Sequence, residues 1–270
     1  MVGSGGDVMS LCRTAAGGRW TIDGAAARRG ADAALSLIDP SDSAPLVVYV
    51  PGTSTHAVPD SLQDEVARGF GGDASVVMVD YPATWDFRSS APTGAAALRT
   101  VLDSLADSAG ARRVMLVGES QGAWIIGEVL TDPARAGVVD RAVLLGHPGI
   151  ARTHYPSIDQ ARAGAAQIVE INNARDTVPR VVNAPDEAVL DTLARLTSGQ
   201  LSGVRSALRV VRSDPRYCVR AGVNALSGAV LRGRPDPHVY DGRMREAVDL
   251  LRSDPIVDRR ITHSSANAEI

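Results

Sequence analysis

A serine between two glycines stands where a strand-like segment gives way to a helix-like one. An apolar, strand-favouring run ends at Gly118 and is followed by Glu119, Ser120, Gln121 and Gly122, and then by a helical pattern. On a sharp strand-to-helix turn a serine hydroxyl projects above the carboxyl edge of a sheet, and the crowded backbone requires small flanking residues. The spacing predicts that Ser120 is a nucleophile. The alternative is a glycine-rich turn in which the serine only caps the helix.

A nucleophilic serine needs a base, and the chain offers five histidines: His56, His147, His154, His238 and His263. His238 lies in the proline-rich segment RGRPDPHVYDG before the last predicted helix, and a late loop suits the base. His263 falls in a polar tail, His56 could line the cleft, and His147 suits a turn or a supporting position. We therefore predict His238 as the base, against the alternative of a loop histidine without a role.

The base in turn needs an acid that orients it, at the carboxyl end of a strand between serine and histidine. Asp176 follows the fifth strand-like run directly, in INNARDTVP. Asp186 competes with it, but its position after Pro185 suits the N-cap of a helix better. The order Ser120, Asp176, His238 is typical of α/β-hydrolases. Such a triad needs no metal and no organic cofactor.

Two backbone N–H groups are expected to stabilise the oxyanion that forms during acyl transfer. The helix after Ser120 directs its free N–H groups and its positive dipole end to that spot, and Gln121 supplies the first donor. The loop VYVPGTSTH is expected to supply the second. There Gly52 allows close approach and Thr53 offers its N–H, with Ser54 as the alternative. The same loop could also be an ordinary polar connection.

An aromatic cluster follows the second strand-like run in DYPATWDF, which contains Tyr81, Trp85 and Phe87. Aromatic residues make up only 4% of the chain. Their clustering at the end of a strand predicts either the wall of an acyl or alcohol pocket or a part of the core.

Five short apolar runs must position these groups. Most show little alternation of polarity, which is typical of parallel strands buried on both faces. They are Leu46–Val50, Ser75–Asp80, Arg113–Val117, Arg141–Leu145 and Gln167–Ile171. Helical patterns separate them at Leu62–Phe70, Thr93–Ser108 and Ala123–Leu130. This alternation predicts right-handed βαβ units and a doubly wound, five-stranded parallel sheet, the α/β-hydrolase architecture.

The rest of the chain surrounds this core. The predicted parts are an N-terminal extension with one helix (1–44), the α/β core (45–185 and 232–253), a helical insertion (186–231) and a polar tail (254–270). The helix of the extension is predicted over Ala25–Ile38 and the last helix over Gly242–Leu251. Apolar residues recur at helical spacing in the insertion, which makes it a lid, a substrate platform or plain scaffold.

Composition excludes several classes of protein. A net charge of −3 and a pI of about 6.0 argue against nucleic-acid or anionic-membrane binding. No apolar run is long enough to span a membrane, and no basic and apolar leader opens the chain. We therefore expect cytoplasmic synthesis without a signal peptide. Cys12 and Cys218 form neither a metal cluster nor a disulfide framework; they are two thiols or a single bridge.

The segments that carry the predicted site resemble the cutinase-like hydrolases and the related phage lysin B enzymes. GESQGA is similar to their serine elbow, VYVPGT to their first strand and oxyanion loop, and DYPATW to their tyrosine-proline segment. VLLGHPGIA resembles the lysin B strand that ends in Gly-Asn-Pro, with His147 in place of the asparagine. PHVYDGRMREAVDLL resembles the lysin B segment Pro-His-x-Tyr that leads into the last helix.

The resemblance covers residues 45–253, and spacing favours lysin B within the group. Cutinases place acid and histidine close together, whereas 61 residues lie between Asp176 and His238 and lysin B carries a helical insertion there. The resemblance implies hydrolysis of the ester that joins mycolic acids to arabinogalactan, at the cell envelope of actinobacteria after holin release. Two alternatives stand beside it. One is a bacterial cutinase-like esterase, lipase or acyltransferase that acts on smaller acyl esters. The other is a non-catalytic binding protein with a hydrolase fold.

Overall fold

The computed structural model describes residues 21–84, 86–108, 112–148, 167–173, 176 and 239–253. Several sequence predictions lie outside these residues: Cys12, Trp85, His154, Asp186, Cys218, His238, His263, the insertion 186–231 and the tail 254–270.

A five-stranded parallel sheet forms the centre of the fold, as the sequence predicts. Its strands are β1 (Leu46–Val50), β2 (Ser75–Met78), β3 (Val114–Glu119), β4 (Arg141–Leu145) and β5 (Gln167–Ile171). They lie in the order β2-β1-β3-β4-β5, and every neighbouring pair is parallel. The bounds of β1, β4 and β5 are those predicted from the sequence. The carboxyl ends of all five strands therefore meet at one edge.

Helices cover both faces of the sheet. They are α1 (Gly24–Ser36), α2 (Asp60–Gly69), α3 (Phe87–Asp107), α4 (Gln121–Val129), α5 (Pro133–Ala136) and α6 (Met244–Arg252), with a 3₁₀ turn at Asp241–Arg243 before α6. Helices α1, α3, α4 and α5 pack on one face, the first layer. Helices α2 and α6 pack on the other, the second layer. In the described part of the chain no helix is long and apolar enough to cross a membrane.

Burial on both faces explains why the central strand β1 is apolar throughout. In β1, Leu46, Val48 and Val50 point into the first layer, whereas Val47 and Tyr49 point into the second. All five side chains are fully buried. Because alternate side chains face opposite layers, neither set can be polar without losing apolar burial. The two layers form the core that holds the carboxyl edge in place.

Helix α1 of the predicted extension packs into the first layer, where its buried alanines Ala27, Ala31 and Ala34 lie against the rest of the core. Its N-cap is Asp23, whose Oδ1 accepts the N–H groups of Ala25 and Ala26 at 3.0 and 2.9 Å. This cap satisfies two of the N–H groups that a helix leaves free at its start.

Helix α3 begins six residues before its predicted start at Thr93, and Pro92 lies inside the helix. Pro92 has no N–H to donate to the carbonyl of Arg88, four residues earlier. The N–H of Thr21 donates to that carbonyl instead, at 3.1 Å. The N-terminal segment thus supplies the hydrogen bond that the proline removes. The four-residue helix α5 was not predicted, since one turn is too short to show a periodicity.

Candidate active site

Ser120 occupies a strained turn between β3 and α4. Its backbone has φ +51° and ψ −112°, a conformation that a residue with a side chain rarely adopts. The Ser120 N–H donates to the carbonyl of Leu145 at the end of β4, at 2.8 Å, and the Ser120 carbonyl accepts the N–H of Trp124 at 3.1 Å. These bonds hold the turn in place at the carboxyl edge of the sheet.

The two glycines of the turn are required by contact distances. A Cβ on Gly122 would lie 2.0 Å from the carbonyl oxygen of Val50, and a Cβ on Gly118 would lie 2.6 Å from Cδ1 of Ile126. Helix α4 can approach β1 and β3 so closely only because neither position has a side chain. The glycine spacing that marks the turn in the sequence is thus a packing requirement.

The loop after β1 passes directly beside Ser120. A Cβ built on Gly52 would lie 3.5 Å from the Ser120 Cβ. The Ser54 N–H already donates to the carbonyl of Ala83 at 2.7 Å, whereas within the described part of the chain the Thr53 N–H makes no backbone hydrogen bond. Of the two alternatives for the second oxyanion donor, Thr53 is therefore the one with an N–H to offer. The first, the Gln121 N–H, lies in the first turn of α4, where helical N–H groups have no partner within the helix.

Tyr81 lies in the first layer of the core, and its side chain is only 4% exposed. Its hydroxyl donates to the carbonyl of Pro51 at 2.7 Å and lies 3.3 Å from Oε1 of Gln121. The Ser90 hydroxyl also contacts Gln121 Oε1, at 3.4 Å. The position of Tyr81 matches the core alternative, and its hydroxyl joins the loop after β1 to the start of α4.

Phe87, the other described member of the aromatic cluster, is half-buried at the start of α3. Its ring is tilted by 32° against that of Trp124 on α4, with the ring centroids 6.3 Å apart. This contact joins α3 to the helix that follows Ser120.

Asp176 lies just beyond β5, and its side chain is 2% exposed. Its Oδ2 accepts the hydroxyl of Tyr240 at 2.6 Å, and its N–H donates to the carbonyl of Asn173 at 3.0 Å. Burial and the hydrogen bond to Asp176 raise the pKa of Tyr240, so the phenol stays protonated and remains a donor. Tyr240 is the tyrosine of the Pro-His-x-Tyr segment, but the sequence analysis gave neither Tyr240 nor Asn173 a role in the site.

The chain directly after the predicted base is bound to the acid loop. The side-chain amide of Asn173 donates to the carbonyl of Val239 at 3.2 Å, and the Asn173 N–H donates to the Tyr240 hydroxyl at 3.2 Å. His238 itself lies outside the described residues. The positions that follow it are thus held against the loop that carries Asp176.

The two described histidines occupy different surroundings. His56 is exposed in the loop after β1. His147 follows β4 and is 3% exposed, and a Cβ on Gly127 of α4 would lie 3.3 Å from its Nε2. His147 therefore packs against α4, the helix that follows Ser120. Among the described residues, no group of three or more His, Cys, Asp or Glu side chains could hold a metal ion.

A parallel sheet with a strained serine at a strand-to-helix turn defines an α/β-hydrolase fold. The chain belongs to the cutinase family, whose sequence model matches residues 49–187, slightly more than half of its length. The protein is accordingly a carboxylic ester hydrolase of the serine esterase type. No curated protein sequence matches the chain.

Solved structures with similar folds include esterases and a phage enzyme. Lysin B from Mycobacteriophage D29 is 17% identical, with a TM-score of 0.50 over 78% of this chain and 100% of its own. The catalytic core domain of acetyl xylan esterase from Trichoderma reesei is 16% identical, with a TM-score of 0.40 over 62% of this chain and 99% of its own. A cutinase-like protein from Cryptococcus sp. is 16% identical, with a TM-score of 0.40 over 59% of this chain and 98% of its own. At such identities the likeness concerns the fold alone.

Proposed function

We propose that Ser120, His238 and Asp176 form the catalytic triad of this esterase and that the N–H groups of Gln121 and Thr53 bind the oxyanion. The observation that carries the proposal is the conformation of Ser120, which has a positive φ on a turn at the carboxyl edge of the sheet. Such strain persists only where the surrounding structure holds it, and it clusters at catalytic positions. The strained backbone of Ser120 therefore favours a nucleophile over a serine that only caps a helix.

The tether of Val239 supports His238 as the base. The residues that follow it are held against the loop of Asp176: the Asn173 amide donates to the carbonyl of Val239, and the Tyr240 hydroxyl donates to Asp176. In the proposed triad, Asp176 orients the imidazole of His238. The contacts of Asn173 with Val239 and Tyr240 support this assignment, because they join the residues after His238 to the loop of Asp176 despite the long separation in sequence.

The chemistry follows from these roles. Ser120 Oγ attacks the ester carbonyl while His238 takes its proton, and the carbonyl oxygen becomes an oxyanion held by the two N–H groups. The C–O bond to the alcohol then breaks, and His238 returns the proton to the leaving alcohol. Water attacks the acyl-enzyme in the same way and releases the acid. Asp176 stabilises the imidazolium that forms in both halves of the reaction.

We further propose that the substrate is a mycolyl ester of arabinogalactan, as in lysin B. The segments around Ser120, Tyr81 and His238 support this proposal through their resemblance to lysin B, and the helical insertion between acid and base fits it. A long acyl chain needs an apolar groove, and we propose that the predicted insertion, 186–231, provides one as a lid or platform. The protein would be made in the cytoplasm and would act at the cell envelope after release by a holin.

The test is release of free mycolic acid from purified mycolyl-arabinogalactan-peptidoglycan, measured beside hydrolysis of p-nitrophenyl butyrate. Ser120→Ala serves as the control for both substrates. Release by the wild type but not by Ser120→Ala supports a lysin B-like mycolyl esterase. Cleavage of the short ester without release of mycolic acid keeps the triad and assigns the protein to esterases of smaller acyl groups. A wild type that cleaves neither substrate and does not react with a fluorophosphonate contradicts the catalytic proposal.

A further inference from the structure

The hydroxyl of Tyr240 lies at the centre of a small buried network beside the acid. It donates to Asp176 Oδ2 at 2.6 Å and accepts the backbone N–H of Asn173 at 3.2 Å. The side chain of Tyr240 is fully buried, so it cannot contact a substrate in the cleft. Both contacts reach the loop after β5 from far along the chain: Tyr240 lies 64 positions after Asp176 and 67 after Asn173.

The ring of Tyr240 is held as firmly as its hydroxyl. It packs in the second layer of the core, against the backbone of Gly146 at the end of β4. A Cβ on Gly146 would lie 2.7 Å from Cε2 of this ring. The phenol therefore has little freedom to turn, and its hydroxyl meets the carboxylate in one geometry.

Asn173 adds a second connection between the same two segments. Its side-chain amide holds the carbonyl of Val239, while its backbone N–H binds Tyr240. Together, Asn173 and Tyr240 join the loop that carries the acid to the residues directly after the predicted base.

We propose that Tyr240 is a positioning residue for catalysis, which acts through Asp176 and is supported by Asn173. The phenol occupies Oδ2, so the carboxylate is fixed in one rotamer and directs its other oxygen in one direction. A charge-assisted hydrogen bond in a buried site is stronger than a neutral one, which makes the orientation well defined. This inference rests on the proposed triad, because it needs Asp176 to orient a base.

A hydroxyl that only stabilises the fold would have a different effect, and Tyr49 provides the matched control. Tyr49 is fully buried in the same second layer, and its hydroxyl donates to another carboxylate, Glu119 Oε2, at 3.2 Å. Tyr49→Phe and Tyr240→Phe each remove one buried phenolic hydroxyl that binds a carboxylate. Only Tyr240→Phe removes a hydroxyl that binds a member of the proposed triad, Asp176.

The experiment compares kcat, KM and unfolding in urea for the wild type, Tyr240→Phe and Tyr49→Phe on p-nitrophenyl butyrate. Tyr240→Phe is expected to lower kcat roughly 10- to 100-fold, as for loss of a charge-assisted hydrogen bond. Its KM should change by less than about twofold, because a buried side chain contributes nothing to substrate binding. Tyr49→Phe is expected to lower the free energy of unfolding and to leave kcat unchanged.

A double-mutant cycle shows whether the hydroxyl acts through the carboxylate. In an Asp176→Asn background, Tyr240→Phe should change the residual kcat by less than about twofold, since the two changes disable the same unit. A full, additive loss in that background would overturn the proposal. So would a kcat for Tyr240→Phe equal to that of Tyr49→Phe.

Failure of the role of Tyr240 and failure of the proposed triad give different results. If the wild type is active, Ser120→Ala is inactive and Tyr240→Phe keeps full kcat, then only the role of Tyr240 is overturned. An inactive wild type overturns the triad and the role of Tyr240 with it. If Tyr240→Phe does not fold, Asn173→Ala takes its place, because it removes only the side-chain amide that holds Val239. The proposal then requires a lower kcat for Asn173→Ala, and full activity overturns it.

Discussion

The conformation of Ser120 has a cost in stability that the catalytic proposal explains. A positive φ is unfavourable for a residue with a Cβ, and glycine relieves most of that cost. The turn nevertheless carries a serine, flanked by the glycines that its packing requires. A position that kept a strained serine for no chemical reason would gain stability by losing its side chain.

We predict that Ser120→Gly is more stable than Ser120→Ala by about 1 kcal/mol, although both lack esterase activity. Glycine relieves the strain at φ +51°, whereas alanine keeps the Cβ. Urea unfolding of the two variants measures the difference. Equal stability, or a more stable alanine variant, would show that the turn is not strained.

A second question at the scale of single residues is which aspartate, Asp176 or Asp186, is the acid of the triad. Asp176 has a buried carboxylate bound by Tyr240, which suits a residue that must be held in one orientation. Asp176→Asn is therefore expected to lower kcat severely, roughly 10⁴-fold if the triad behaves as in other serine hydrolases. Asp186→Asn, the control, should leave kcat unchanged. A loss of activity confined to Asp186→Asn would transfer the role of the acid to that residue.

At the scale of elements, α1 depends on a charged cap. The hydrogen bond from the Ala26 N–H is the main cause that lowers the pKa of Asp23. Burial raises this pKa by a smaller amount, and the hydrogen bond from Ala25 and the charge of Arg29 lower it further. A lowered pKa means that the native state prefers the carboxylate. The cap therefore stabilises the fold above the ordinary pKa of 3.8, and this contribution is lost as pH falls through the lower native value.

Asp23→Ala should consequently lower Tm at pH 7, and the difference from the wild type should shrink as the pH falls below 3.8. Thermal unfolding followed by circular dichroism across that range checks both statements. Asp32→Ala changes an exposed carboxylate in the middle of the same helix and is the control. A difference in Tm that stays constant with pH would argue that the charge of the cap is unimportant.

At the scale of the whole molecule, two arginines hold the C-terminal end of α6 to the sheet. Both lie at the amino ends of the strands, the edge opposite to the one that carries Ser120. Arg141 at the start of β4 donates to the carbonyl of Leu250 and to the hydroxyl of Ser253, and Arg113 donates to the carbonyl of Leu251. Cations suit the carboxyl end of a helix, where carbonyls lack partners. The other end of the same segment carries Tyr240, so the docking of α6 connects both edges of the sheet.

Arg141→Met should lower the free energy of unfolding by about 2 kcal/mol, because hydrogen bonds from a buried charged group are lost while the side-chain volume is nearly kept. Arg141 is 4% exposed. Arg245→Met removes an exposed arginine of α6 itself and should change stability by less than about 0.5 kcal/mol. Urea unfolding of both variants tests the prediction, which an equal loss in the two would contradict.

The amino-acid sequence by itself determined the class of fold and the position of the serine turn. Buried parallel strands are mostly apolar, so β1, β4 and β5 could be bounded from local composition. Gly118 reflects a contact with α4 inside its own strand-turn-helix unit and Gly122 reflects the close approach of α4 to β1, but both leave a local pattern in the sequence. Pro92 shows the limit of such reasoning, since the hydrogen bond that permits it inside α3 comes from Thr21, far away in sequence.

Only the tertiary structure decided which residues support the site. Tyr240 and Asn173 are 67 positions apart, and no local pattern marks a phenol that will meet a carboxylate across the carboxyl edge of a sheet. Likewise, the Ser54 N–H is taken up by the carbonyl of Ala83 in a different loop, which the local sequence does not show. Periodicity records which face of an element is buried, whereas the partners that a polar group meets are set by the packing of distant segments.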